Sequence, residues 1–158
     1  IEGVGESVVD TSEIINTLRA GGISSLGYAS AQAGEDADAN VNVVTSITRN
    51  ALLTGASLPN ATAAETGLVV LAGRAENISR KGVERARSWV EEETGSMRVR
   101  GGDFPLDSDR IAALVLLGGI ERSDRVEAFM DRAKEAQKQE EREGPAEMFQ
   151  NEELDDLI

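Results

Sequence analysis

The chain has 158 residues and carries 29 acidic against 16 basic side chains, a formal charge of -13; this length suits about one domain with a hydrophobic core. The absence of Cys and His excludes disulfide frameworks, Cys/His zinc sites and His-dependent nucleophiles, and the negative field disfavours nucleic acids and anionic membranes as partners. No apolar run approaches the roughly 20 residues that span a bilayer, and no signal-peptide pattern opens the chain, so we expect a cytoplasmic protein without direct membrane insertion.

The first part of the chain predicts two helices separated by a strand. In chain order, the pattern predicts a helix over Asp10–Ala20, a strand over Ile23–Ala29, a loop over Ser30–Asn40 and a helix over Val41–Thr54. Asp10 or Thr11 can cap the first helix, and the pair Gly21-Gly22 ends it. The loop prediction rests on a run of small and acidic residues.

The second part predicts three further strands and two helices. They are strands over Gly67–Gly73, Ser96–Arg100 and Arg110–Leu117, a helix over Arg80–Thr94 after the cap Ser79, and a long helix over about Arg125–Glu143 capped by Asp124. The two uninterrupted apolar strands are typical of sheet centres, and the strand with outward arginines is typical of an edge. Trp89 is predicted to make a core or helix–sheet contact.

This order of elements predicts an α/β (α+β) fold. We expect a two-layer sandwich in which a mixed four-stranded sheet is packed by helices on one face, followed by a C-terminal helix and a flexible tail. In domain terms, residues 1–9 are predicted as a linker, residues 10–143 as the domain, and residues 144–158 as an acidic, disordered tail.

No motif for holding a phosphate or a metal ion is present. The glycine pairs at 21–22, 101–102 and 118–119 each stand where a predicted element ends, so caps or turns account for them. Asp36-Ala37-Asp38 lacks the later ligands of a calcium loop. We therefore expect no metal site and no cofactor held by this chain.

The remaining chemical signal is the sequence Asp10-Thr11-Ser12-Glu13. Its two carboxylates, three residues apart at a helix start, lie on one rim, where the helix dipole favours their ionised form. A capping box accounts for the same two residues. Ionised carboxylates at this position could also orient and polarise an attacking water if a nucleotide were presented from outside.

The succession of segments resembles the C-terminal half of the tubulin/FtsZ superfamily. VVDTSEIINTLRAGGISSLGYAS, starting at Val8, is followed by GLVVLAG, by ISRKGVERARSWVEEETGSMRVRGGD and by AALVLLGGI. The combination of the Asp-x-x-Glu helix start, RGGD and the following apolar strand is most similar to the archaeal tubulin-like CetZ family, and the resemblance extends to about residue 137. Only three of the 16 basic residues are lysines, and an acidic, lysine-poor composition independently fits a haloarchaeal source; an ordinary acidic protein is the alternative.

The resemblance implies a part in a GTP-dependent, filament-forming cytoskeletal protein that controls cell shape or division. Members of the superfamily are two-domain GTPases that polymerise head to tail, and the C-terminal domain brings an acidic loop against the nucleotide of the next subunit. Carried over, Asp10 and Glu13 are catalytic residues acting in trans, and neighbouring subunits are the partners. Bacterial FtsZ loops have Asn where this chain has Val8.

The same resemblance implies that GTP is bound by an N-terminal domain that this sequence does not include. The first residue is Ile rather than Met, which fits a fragment of a longer chain. The glycine-rich nucleotide loop of the family is missing from these residues. The chain alone is therefore expected neither to bind nor to hydrolyse GTP.

Two other classes of function stay open. The tail sets apolar residues among acids and could fold onto a partner, which would make the chain a non-enzymatic interaction module that docks an adaptor protein; a solubilising end is the alternative. The apolar residues are Met148, Phe149, Leu154, Leu157 and Ile158. A free-standing enzyme would need carboxylates or serines alone, and no second convergent pair is visible.

Overall fold

The computed structural model describes residues 8–55, 63–95, 98–122, 124–142 and 144. Its elements are α1 (Thr11–Leu18), β1 (Ile23–Gln32), α2 (Ala37–Gly55), β2 (Thr66–Gly73), α3 (Arg80–Thr94), β3 (Val99–Pro105), β4 (Arg110–Ile120) and α4 (Asp124–Arg142), with a short 3-10 turn over Ala75–Asn77. The chain divides into two units, Ile1–Glu121 and Arg122–Ile158. The sheet and the first three helices belong to the first unit, and α4 belongs to the second.

The four strands form one mixed sheet in the order β1-β4-β2-β3. β4 pairs antiparallel with both β1 and β2, whereas β2 and β3 run parallel. A parallel pair needs a crossover connection, and α3 supplies it. This arrangement confirms the predicted mixed four-stranded sheet, with β2 and β4 at its centre and β3 at an edge.

Helices α2 and α3 cover one face of the sheet and enclose the core. Alternate residues of the central strands point toward these helices, so Val69 and Leu71 of β2 and Ile111 and Val115 of β4 are almost completely buried. The helical side of the same core is formed by residues at 3.6-residue spacing: Val44, Ile47, Ala51, Val83, Ala86 and Val90. The predicted two-layer arrangement is therefore confirmed.

Trp89 joins the two helices at the margin of this core. Its ring is half-buried and packs against the core, as predicted, and the guanidinium carbon of Arg49 lies 5.6 Å from the ring centroid. A cation above an aromatic face is attracted by the ring quadrupole. Arg49 of α2 and Trp89 of α3 thus hold the two helices together at the solvent boundary.

Several predicted boundaries are wrong. β1 continues to Gln32 and α2 begins at Ala37, so most of the predicted loop over residues 30–40 is regular structure. β4 continues to Ile120, and Asp124 is the first residue of α4 instead of its cap.

The third strand is also displaced from its predicted position over Ser96–Arg100. It runs from Val99 to Pro105, so the sequence GGDF, predicted as a connection, is strand. Gly101 lies beneath α3, where an added Cβ would stand 3.3 Å from a methyl group of Val83. Glycine at this point lets the edge strand approach the helix that covers it.

Most residues at the two ends of the chain are not described, and the helix of the second unit is α4. Residues 1–7 of the predicted linker and residues 145–158 of the predicted tail lie outside the described residues. In α4 the side chain of Phe129 is 67% exposed, and the sequence after Ala136 is polar.

We expect the stability of the chain to rise with salt, because a formal charge of -13 repels itself in the compact state. Raising KCl from about 0.1 M to about 2 M, which shortens the Debye length severalfold, should raise the midpoint of thermal unfolding. The double variant E92Q/E93Q removes two exposed acids from the last turn of α3, where the helix dipole disfavours them. Its gain in stability should be larger at low salt than at high salt, and equal gains at both would contradict the electrostatic explanation.

Candidate functional site

Asp10 and Glu13 form a reciprocal cap at the start of α1. One carboxylate oxygen of Asp10 accepts hydrogen bonds from the backbone N–H of Ser12 at 2.7 Å, from that of Glu13 at 3.2 Å, and from the Ser12 hydroxyl. In return, a carboxylate oxygen of Glu13 accepts the backbone N–H of Asp10 at 3.3 Å. The predicted capping box is therefore present, and it places the two carboxylates side by side on an exposed rim.

The segment before α1 is attached to the edge strand β3. Val8 forms a parallel bridge with Asp103, and the N–H of Val9 donates to the carbonyl of Asp103 at 3.0 Å. Asp103 is itself buried. Since Asp10 follows Val9 directly, this attachment fixes the position of the backbone beside β3 at which α1 and its acidic pair begin.

The other end of α1 is attached to the two central strands. The hydroxyl of Thr66 on β2 donates to the carbonyl of Thr17 at 2.9 Å, and both threonines are buried. On β4, a Cβ at Gly118 would stand 2.4 Å from the same carbonyl oxygen, a distance that no side chain tolerates. The close approach of α1 to the sheet therefore requires glycine at 118.

The apolar residues of α1 are only partly covered. Thr17 is its buried residue, whereas Ile14, Ile15 and Leu18 are 41–45% exposed. An amphipathic helix normally buries its apolar residues. Exposed apolar groups beside two carboxylates are typical of a surface that contacts another protein.

Asp10 is held in its ionised form. Hydrogen bonds from the Ser12 hydroxyl, and then from the backbone N–H groups of Glu13 and Ser12, lower the pKa of its carboxyl group below the ordinary value. Within the described residues, these bonds all go to one oxygen of Asp10, and Glu13 likewise receives its bond on one oxygen. One oxygen of each carboxylate thus accepts none of these bonds and is left able to accept a hydrogen bond from a water or a partner.

Two other kinds of site are absent from the described part of the chain. No group of three or more metal-ligating side chains was found there. In the same residues, no helix combines the length and the apolar character needed to cross a membrane.

Sequence reasoning found the acidic pair but missed what positions it. The contact of Thr17 with Thr66 joins residues 49 positions apart, and no local pattern marks it. Gly118 was interpreted as part of a turn, although it lies within β4. The hydroxyl side chains facing inward were the available signal, since buried hydroxyls need a partner.

Comparisons with known proteins agree on one family. Residues 1–135 match the model of the tubulin-like CetZ C-terminal domain. Tubulin-like protein CetZ2 of Haloferax volcanii is 64% identical over 99% of this chain and 44% of its own length.

Two solved structures of the same organism resemble the chain. The CetZ2 protofilament with bound GTPγS has a TM-score of 0.71 at 66% identity, covering 87% of this chain and 41% of that one. The CetZ1 monomer with bound GDP has a TM-score of 0.72 at 45% identity, covering 82% and 39%. The chain therefore spans about two fifths of the length of these relatives, and the predicted fold type is confirmed.

The variant Gly118→Ala should move α1, because its methyl group would overlap the carbonyl of Thr17. We expect a loss of about 1–3 kcal/mol in the free energy of unfolding, measured by urea denaturation in high salt. Gly82→Ala is the matched control: its methyl group would meet Ser79 at 3.4 Å inside α3, where alanine favours the helix by up to about 1 kcal/mol. Equal stabilities of the two variants would contradict the proposed close approach.

The Asp10 carboxyl should titrate below an ordinary aspartate, and Ser12→Ala should raise its pKa because the first of the causes is removed. Since the folded pKa is the lower one, the stabilisation is present above the unfolded value of 3.8 and is lost as pH falls through the folded pKa. NMR titration of the Asp10 carboxyl carbon measures its pKa in the unmodified chain and in Ser12→Ala. Ser24→Ala, at another exposed serine, is the control that should leave Asp10 unchanged, and an unaltered Asp10 pKa in Ser12→Ala would contradict the assignment.

Proposed function

The chain belongs to the tubulin-like CetZ family as its C-terminal domain, and from this we propose that it provides the subunit-contact side of a GTP-dependent filament, with Asp10 and Glu13 promoting hydrolysis of GTP held by the neighbouring subunit. The relatives CetZ2 and CetZ1 were solved with GTPγS and with GDP. The filament would act in the cytoplasm, in the control of cell shape or division.

The observation that carries the proposal is the exposed acidic rim. Asp10 is exposed and Glu13 is half-buried, and the backbone around them is fixed by Val9 at one end and Thr17 at the other. A group that acts on a partner must be exposed and pre-positioned. A cap needs only the first oxygen of each carboxylate, so the second is available for chemistry.

The residues of this chain do not form a binding site for GTP itself. The sequence contains no glycine-rich phosphate loop, and helix starts alone do not make such a loop. When GTP is bound by another domain, it supplies the phosphate that is attacked. The part left to this chain is to accept a hydrogen bond from the attacking water and to hold it in position.

Completing a site across two subunits has a consequence for assembly. The face bearing the acidic pair contacts a different face of its neighbour, so the contact is heterologous and repeats without closing. Ile14, Ile15 and Leu18 extend this face with apolar surface. Hydrolysis would then wait for assembly, because the carboxylates of a subunit meet the nucleotide of its neighbour and not its own.

Val8 limits what the loop can do beyond this. It stands where bacterial FtsZ loops have Asn, it is 49% exposed, and its backbone is engaged with Asp103. A valine side chain has no group that can hydrogen-bond a nucleotide. The proposed chemistry is accordingly assigned to Asp10 and Glu13.

The test uses a hybrid in which this chain replaces the matching region of CetZ2. Asp10→Ala or Glu13→Ala should abolish GTP turnover, measured as phosphate release, and leave GTP binding intact. The action in trans is tested by mixing the Asp10→Ala hybrid with a hybrid whose nucleotide site is disabled. Turnover should reappear in the mixture, because one partner supplies the nucleotide and the other the carboxylates.

Asp36→Ala is the matched control. Asp36 also accepts a helix-start N–H, that of Ala39 at 2.7 Å, and is exposed, so its loss mimics the loss of a cap away from the acidic rim. Turnover in Asp36→Ala should equal that of the unmodified hybrid. Full turnover in Asp10→Ala, or none in the mixture, would overturn the proposal.

A further inference from the structure

The two edges of the sheet differ in how they are protected. An edge strand presents unpaired N–H and C=O groups that can pair with another chain, and proteins block such edges with charges, prolines, inward-pointing charges or covering segments. β3 has all of these. Arg100 is exposed on it, Asp103 points inward, Pro105 ends it, and Val9 bonds along it.

β1 has no comparable block along most of its length. Its ten residues, ISSLGYASAQ, include no charged residue and no proline. On its inner side it pairs with β4 from Ile23 to Gln32. Within the described residues of the first unit, no backbone group pairs with its outer side.

The register identifies the groups on this outer side. The N–H of Ala33 donates to the carbonyl of Asp109 at 3.0 Å, which sets the phase of the β1–β4 ladder. Because backbone direction alternates in an antiparallel pair, the residues of β1 with even numbers direct their N–H and C=O groups outward. Arg110 donates to the carbonyl of Ser30 at 3.1 Å, so the open part is centred on Leu26 and Tyr28.

The side chains of the same residues are exposed. Leu26 and Tyr28 are 57% and 61% exposed and share the sheet face that α2 and α3 leave uncovered. Exposed apolar side chains on an unblocked edge favour pairing, since aliphatic–aromatic pairs across strands are stabilising.

We infer that the outer edge of β1 binds the β1 strand of a second copy of this chain, antiparallel and centred on Gly27. In this register Leu26 of each copy stands opposite Tyr28 of the other, and each such pair exchanges two backbone hydrogen bonds. The small residues Ser25 and Ala29 meet without crowding. The strand is thus complementary to itself.

A second copy fits better than a charged extended peptide, because the outer edge of β1 is an uncharged strip. Two chains with a charge of -13 each repel over distance, and an uncharged strip is where they can approach once salt screens the rest. One strand pair buries less than the roughly 1,200 Å² of stable complexes. The contact is therefore weak between single chains and becomes stronger where copies are held in a row, as in the filament proposed above. The pairing of β1 strands does not require GTP hydrolysis.

The cysteine-free sequence allows the register to be tested by cross-linking. Leu26→Cys chains carrying a size tag are mixed with untagged Tyr28→Cys chains in about 2 M KCl and oxidised mildly. The mixed disulfide should outnumber the two self-linked dimers together, because directly opposed residues have the Cα spacing that a disulfide needs and diagonal ones do not. Phe104→Cys, 52% exposed on the blocked edge, is the collision control and should cross-link more slowly.

Two results would overturn the inference. Cross-linking no faster than that of Phe104→Cys removes the interface, and preferential self-linking of Leu26→Cys or of Tyr28→Cys removes the register. A second variant acts on the edge alone: Leu26→Pro deletes an outward N–H and leaves the ladder to β4 intact. Leu26→Pro should lose the concentration-dependent dimer that sedimentation detects, whereas Leu26→Ala should keep it. A folded Leu26→Pro chain that dimerises like the unmodified chain would contradict the pairing. If Leu26→Pro does not fold, the ratio of mixed to self-linked disulfides decides.

Discussion

The attachment of α1 at both ends is the constraint on which the candidate site depends. A helix of eight residues is too short to be stable by itself, and its apolar residues Ile14, Ile15 and Leu18 remain 41–45% exposed. Its position is set instead by polar contacts with β3 before its start and with Thr66 at its end, and by the missing side chain of Gly118. The acidic pair is therefore as fixed as the sheet itself, which a loop of the same sequence would not be.

Because polar contacts hold α1 in place, several apolar side chains remain exposed to solvent. A domain that needed only to fold would turn Ile14 and Leu18 inward, yet these residues are exposed, as are Leu26 and Tyr28 on the sheet face that α2 and α3 leave uncovered. Apolar surface retained at such places usually marks contacts with other chains or domains. The relatives are more than twice as long as this chain.

The sequence predicted those features whose physical cause is local. The sequence predicts β2 and β4 because strands at the centre of a sheet are continuously apolar, and α3 because Ser79 caps it and Gly95, at φ 64°, ends it. β3 is misplaced because its two glycines are typical of a turn, whereas Gly101 lies within the strand and close beneath α3. The anchoring of α1 could not be predicted, since it joins residues that are distant in the chain.

Charge connects the acidic rim to the rest of the surface. Carboxylates at a subunit contact oppose association, and in a chain with a charge of -13 the opposition would extend over the whole approach at low salt. At about 1 M salt the Debye length falls to about 3 Å, so distant charges no longer interact while groups in direct contact still do. Asp10 and Glu13 could then act on a neighbouring subunit at contact range without preventing its approach. An acidic composition and an acidic interface are compatible under the same condition, high salt, and under that condition the apolar residues beside the acids can supply the attraction.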